Sequence, residues 1–143
     1  MDSPGERRAG SPRVTGLVVD ASVVVDALIS AGERGKRSRD ILRGNCFVPE
    51  LVFSETSSAL VRWERHTGSD AGELVASVLE FGWTTVSYRQ WGSGLWELRH
   101  DLSPYDAAYV ALARVLGVPL ATHDRKLART ARRYCDVITA AEI

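Results

Sequence analysis

The sequence predicts an α/β fold in which a central parallel sheet is covered by helices on both faces. Three observations predict it. Short apolar, β-branched runs alternate along the chain with helical segments, the pattern of parallel strands joined by right-handed crossovers. The chain has 143 residues, 45% apolar and 25% charged, the size and balance of one ordinary globular domain with a real core. No internal repeat or domain boundary interrupts the pattern, so a single domain is expected over residues 14–143, behind a polar lead-in over residues 1–13.

The elements follow in order. After Gly16, "LVVD" is a short strand ending in an acid, and Ala21 to Ser30 continues as a helix that stops around Gly32. A basic helical stretch from Arg34 to Arg43 leads through Gly44 and Asn45 to the strand "CFV", which ends at Pro49. Pro49 opens a long helix through about His66, closed by Gly68, and Ser69-Asp70 caps another from Ala71 to Phe81. "TTVS" resembles a short strand, and Arg89 to Arg99 a helix containing two Gly and two Trp. Ser103 caps a helix with Pro104 at its first position, running to Leu116 and stopping at Gly117. "VPLAT" is a strand, Asp124 starts a basic helix, and "DVIT" is the last strand.

Composition narrows the function. The formal net charge is zero, so no global field draws the molecule to nucleic acid or membrane, and such a partner must be met by a local patch. Cys46 and Cys135 stand far apart with neither disulfide-framework nor zinc spacing, which suits a reducing cytoplasm. The lead-in "MDSPGERRAGSPR" is disordered by composition and lacks the apolar centre of a signal peptide. Leu17 to Ile29 is interrupted by Asp20 and Asp26 and is too short to span a bilayer, so no membrane partner is expected.

The chemistry lies in the acids. In open α/β sheets the carboxyl edge of the strands forms the ligand crevice. Asp20 ends the first strand, Asp124 follows "VPLAT", and Asp106 sits in the first turn of the preceding helix, so the topology places all three on one rim. Each is also a plausible helix-cap residue, where an acid meets free N–H groups and the positive end of the dipole. Glu55 has no such explanation: its spacing from Leu51, Val52 and Ala59 sets it near the inward face of a helix, where a carboxylate needs an ion pair, as with Arg62, or a metal. Carboxylates about 4 Å apart repel by roughly 4 kcal/mol per pair at an effective dielectric of 20. An all-oxygen set favours Mg²⁺ or Mn²⁺ over zinc, and with it phosphodiester hydrolysis.

Four segments carry a resemblance: "VVDASVVVDAL", "VPELVFSETSSAL", "LSPYDAAYVALA" and "LATHDRKLA". They resemble, in order and spacing, the acidic motifs of PIN-domain ribonucleases, most closely the VapC-type toxins of type II toxin-antitoxin systems. The resemblance covers the chain from about Val18 onward. It implies a PIN-like three-layer α/β/α domain in which Asp20, Glu55, Asp106 and Asp124 hold the metal and carry catalysis, with Ser22 and Thr122 as supporting hydroxyls. Ser22 stands where many relatives have Asn. Also implied are RNA cleavage leaving a 5'-phosphate and a 3'-hydroxyl, a homodimer, and inhibition by a cognate antitoxin whose segment enters the acidic groove. The rival reading is a non-catalytic module of the same fold that uses its acidic rim to bind a partner or an ion.

Other groups are weighed against plainer roles. Arg125, Arg129, Arg132 and Arg133 form one stripe on the helix after Asp124, a cradle for RNA phosphates or a solvated face. The Arg34 to Arg43 cluster has the same two readings, and Trp91 and Trp96 stack on bases or fill the core. "SAGERGKRS" resembles a phosphate loop but lacks its first Gly and its Ser/Thr ligand. His66, His100 and His123 show no metal spacing, and Asp26 faces away from Val24 and Leu28 as a solvated residue.

Overall fold

Residues 14–139 and residue 142 are described by the structure, a computed structural model; the expected lead-in over residues 1–13 lies outside them. Five strands, β1 (Leu17–Val19), β2 (Cys46–Val48), β3 (Thr84–Thr85), β4 (Leu120–Thr122) and β5 (Val137–Thr139), form one sheet. Its order is β3-β2-β1-β4-β5 and every pairing is parallel. The chain builds outward from β1 to β2 and β3, then returns to the other side of β1 as β4 and β5. The order therefore reverses between β1 and β4, the switch point at which such sheets open a ligand crevice. Val18 pairs with Leu120 and Val19 with Ala121, which brings the ends of these two strands level.

Seven helices flank the sheet among the described residues: α1 (Ala21–Ile29), α2 (Glu33–Leu42), α3 (Leu51–Thr67), α4 (Gly72–Val78), α5 (Gly92–Glu97), α6 (Pro104–Leu116) and α7 (Arg125–Ala131). α1 packs on α2 and α3, while α5 packs on α6, which lies against β1 and β4. This is the three-layer α/β/α arrangement that the alternating pattern predicts. Val18, Val19, Val48, Leu120 and Ala121 are fully buried, as β-branched and apolar strand residues covered on both faces must be. Each such Val or Leu contributes roughly 1.5 to 3 kcal/mol of burial.

The helix opening "LSPYDAAYVALA" forms as its caps dictate. The Asp106 N–H donates to Ser103 Oγ at 3.2 Å, Pro104 occupies the first turn, and Gly117 closes the helix at φ 67°. Ala107 to Ala113 are all buried, but Tyr105 is 64% exposed, so the helix emerges at its N-terminal end.

Other differences are local. α4 ends at Val78, three residues before Phe81, because Leu79, Glu80 and Phe81 turn through bonds three residues back. The expected helix over Arg89 to Arg99 is instead a 3-10 turn, Tyr88–Gln90, followed by α5. α7 stops at Ala131 because Arg133 and Tyr134 bond back to Thr130 and Ala131 as the chain turns toward β5. The stripe of arginines expected on this helix is therefore cut before Arg132 and Arg133.

Candidate active site

Asp20 leaves β1 at the switch point and caps α1. Its Oδ1 accepts from the backbone N–H groups of Ser22 (3.1 Å) and Val23 (3.4 Å) and from Ser22 Oγ (2.5 Å). Its Oδ2 accepts from Thr122 Oγ1 at 2.5 Å, across from β4. Thr122 Oγ1 in turn accepts the Asp124 N–H at 3.0 Å, and Ser22 Oγ accepts the His123 N–H at 2.9 Å. Each hydroxyl thus uses its one hydrogen on Asp20 and a lone pair on the loop after β4. These bonds tie the two strand ends together. Asp20 is only 5% exposed, and burial pushes its carboxyl up to about 6, against the lowering effect of its hydrogen bonds; the nearby Asp124 charge adds to the rise.

The other three acids border the same space. Asp124 is exposed and caps α7 through Oδ1, which accepts from the Lys126 and Leu127 N–H groups at 2.9 and 3.1 Å. Asp106 is half-buried, and burial followed by the Asp124 charge raises its carboxyl. Glu55 is half-buried on α3 and accepts from the Tyr109 hydroxyl of α6 at 2.5 Å. Burial raises its carboxyl, with the Asp106 charge acting in the same direction and the Tyr109 bond opposing both. Asp20, Glu55, Asp106 and Asp124 all line one cavity of about 380 Å³, with Ser22 and Tyr109.

The cavity's donor chemistry suits a hard divalent cation. All four acids offer oxygen, and no Lys or Arg nitrogen lies within 4.0 Å of any of them among the described residues. Among those residues, however, no three acids, histidines or cysteines are drawn close enough to hold an ion as they stand. The carboxylates border a shared space and leave it open, an arrangement that suits an ion retaining several waters.

The remaining groups take the following places, and Asp26 differs from its expected one. Asp26 is not a solvated residue: it lines the cavity, pairs with Arg34 Nε, accepts from Ser30 Oγ at 3.2 Å and lies 3.3 Å from His123 Nε2. Its solvation was expected from the apolar stripe of α1 alone, whereas α2 and the loop after β4 fold over that side. His123 has its side chain 1% exposed, with Nε2 also 2.7 Å from Ser38 Oγ. Burial lowers its pKa. Arg62 makes no ion pair with Glu55; its Nη1 donates to Ser58 Oγ at 3.2 Å. Arg125 and Arg129 are exposed and do not line the cavity. Arg132 borders a separate hollow with Arg114 and Tyr134 and lies 3.4 Å from Glu142. Trp91 is a core residue, its indole N–H donating to the Val86 carbonyl, while Trp96 is 66% exposed beneath Arg99. Tyr109 escaped the sequence reading. Its signal was the i, i+3 spacing from Asp106, which sets both on one face of α6.

These features define a parallel α/β domain with an acid-lined cavity at its topological switch point. Residues 17–133 match the model of the PIN domain. Ribonuclease VapC9 of Mycobacterium tuberculosis is 33% identical over 125 residues, covering 85% of this chain and 95% of the relative. The fold is similar to that of PAE2754 from Pyrobaculum aerophilum, with a TM-score of 0.66 at 22% identity over 88% of this chain and 91% of that one. It is also similar to VapBC2 from Rickettsia felis, solved bound to a DNA fragment from their promoter, with a TM-score of 0.60 at 13% identity over 87% and 98% of the two chains. The chain belongs to the PIN-domain family, in its VapC branch.

Proposed function

We propose that this protein is a toxin endoribonuclease that hydrolyses RNA phosphodiester bonds using Mg²⁺ or Mn²⁺ held by Asp20, Glu55, Asp106 and Asp124. The observation that carries the reading is one cavity bordered by all four carboxylates, with no Lys or Arg within ion-pair distance of any of them among the described residues. A relative that is itself a ribonuclease supports the reaction class. An ion bound there supplies polarisation of a phosphoryl oxygen and a more acidic water. The protein's own residues do the placing. Asp20, fixed by Ser22 and Thr122, is the rigid anchor. The Tyr109 hydroxyl holds one oxygen of Glu55 and leaves the other for the cavity. Asp106 and Asp124, at the N-termini of α6 and α7, flank the more open side.

A partner belongs to the same proposal: a cognate antitoxin, presenting an Arg to the acids in place of the ion, would be held by charge-assisted bonds. A homodimer acting in the cytoplasm completes it. No described helix is long and apolar enough to cross a membrane.

The experiment compares the parent with Asp106→Asn on labelled RNA with Mg²⁺, Mn²⁺ or chelator. The expected result is metal-dependent cutting by the parent that leaves 5'-phosphates, and none by the variant. Equal cutting by both removes Asp106 from the site. Metal binding without cutting by the parent favours the ion-binding module instead.

A further inference from the structure

A cavity lined by carboxylates repels the phosphate backbone it is proposed to cut, so cationic groups must stand beside it. The α7 arginines do not line it. Among the described residues, the cationic side chains that do are Arg34 and Arg62.

Arg34 is held by a set of buried groups. Its Nε pairs with Asp26, and its carbonyl accepts from Ser38 Oγ at 3.0 Å. Ser38, fully buried, spends its hydrogen on that carbonyl and so accepts from His123 Nε2 at 2.7 Å, with Asp26 3.3 Å from the same nitrogen. His123 Nδ1 is buried without a partner among the described residues, so the ring's polar contacts, to Ser38 and Asp26, run through Nε2 alone. The arrangement is not a relay toward Ser38, since both neighbours share one ring nitrogen. It fixes the start of α2 and leaves both terminal nitrogens of Arg34 without a partner among the described residues. Arg62 lies seven residues after Glu55 on α3, about 10 Å along the axis. Glu55, Ala59 and Arg62 share the cavity-lining face, and the one hydrogen bond from Arg62 goes to neutral Ser58. A guanidinium with free donors is the group that grips phosphate in two-point fashion.

We infer that Arg34 and Arg62 hold RNA backbone phosphates next to the one presented to the carboxylates, and that Asp26, Ser38 and His123 are positioning residues for Arg34. This rests on the nuclease reading above.

The test uses Asp106→Asn as background, so that RNA is not cut, and measures binding of a labelled mixed-sequence RNA by anisotropy across salt concentrations. Adding Arg62→Gln, which gives up only the bond to Ser58, is expected to weaken binding roughly tenfold. It should also lower the salt slope by about 0.7, one phosphate contact on a single strand. Arg34→Gln is expected to do the same, and Arg62→Lys to restore the slope because the charge remains. Should Arg34→Gln fold poorly through its loss of Asp26, Arg62→Gln alone decides. RNA binding with unchanged affinity and slope in Arg62→Gln overturns this inference and leaves the nuclease reading intact. So does a slope that moves only in Arg125→Gln or Arg129→Gln. No RNA binding by the background protein overturns both.

Discussion

Replacing Asp20 by Asn should stabilise the metal-free protein while abolishing its response to metal. Asp20 is nearly fully buried, and its carboxyl is pushed up to about 6 chiefly by burial. Between about pH 4 and pH 6 the folded chain therefore keeps a proton that the unfolded chain has released. Stability from this group falls as pH rises through that window, and the penalty is complete above it. At about 1.4 kcal/mol per pH unit, an ionised Asp20 costs the metal-free fold about 3 kcal/mol. Asn removes the charge and keeps the cap: its Oδ1 can accept the same Ser22 and Val23 bonds. Its NH₂ would face Thr122 Oγ1, whose own hydrogen then has Ser22 Oγ 3.4 Å away. In chelator at about pH 7.5 the variant should melt up to roughly 10 °C above the parent, and the gap should close toward pH 4. Added Mn²⁺ should raise the parent's Tm by mass action and leave the variant unmoved. A variant that melts below the parent at neutral pH in chelator, or a gap that does not change with pH, would refute the claim that burial of the ionised Asp20 outweighs its hydrogen bonds.

Three further outcomes follow from named contacts. Tyr109→Phe removes the hydroxyl that holds Glu55 and should cost the fold only about 1 kcal/mol, yet weaken Mn²⁺ binding roughly tenfold by calorimetry; unchanged affinity would leave Tyr109 a core residue only. Gly35→Ala places a methyl 1.9 Å from the Ser30 carbonyl, where α1 and α2 meet, and should cost roughly 1 to 3 kcal/mol in a denaturant titration. Leu112→Ala opens a cavity beneath the sheet and should cost roughly 2 to 5 kcal/mol by the same measurement.

Much of the fold was legible because each signal was local and agreed with its neighbours. Ser103, Pro104 and Gly117 bound α6 as their chemistry dictates, and helical spacing set Glu55 near the inward face of α3, where it is half-buried beside the cavity. The failures share a cause: a residue was judged against its own element when another element decided its surroundings. Asp26 looks solvated on α1, but α2 and the loop after β4 close over it. Tyr109 looks like core, and only the approach of α3 gives its hydroxyl a partner. The arginine stripe assumed a helix running through Arg133, but the turn into β5 ends it at Ala131.

The ambiguity of the three aspartates, Asp20 and Asp124 as helix caps and Asp106 in the first turn behind the Ser103 cap, yet all candidate ligands, follows from the topology. In a parallel sheet the helices begin at the strand edge where ligands bind, so one carboxylate can satisfy helix N–H groups and border the cavity at once. Cap geometry cannot separate the two roles, but for Asp20 and Asp106 electrostatics bears on them. Bonds from N–H groups and the dipole stabilise the ionised form, so a carboxylate serving only as a cap should have a lowered pKa. Asp20 is raised despite its hydrogen bonds from two backbone N–H groups and two hydroxyls, and Asp106 is raised by burial and the Asp124 charge. A metal-free fold that bears this cost gains nothing from it as a helix cap. Under the proposed function a bound cation would recover that cost, and this favours the cavity it borders over the helix it begins as the explanation of the acid in "LSPYDAAYVALA".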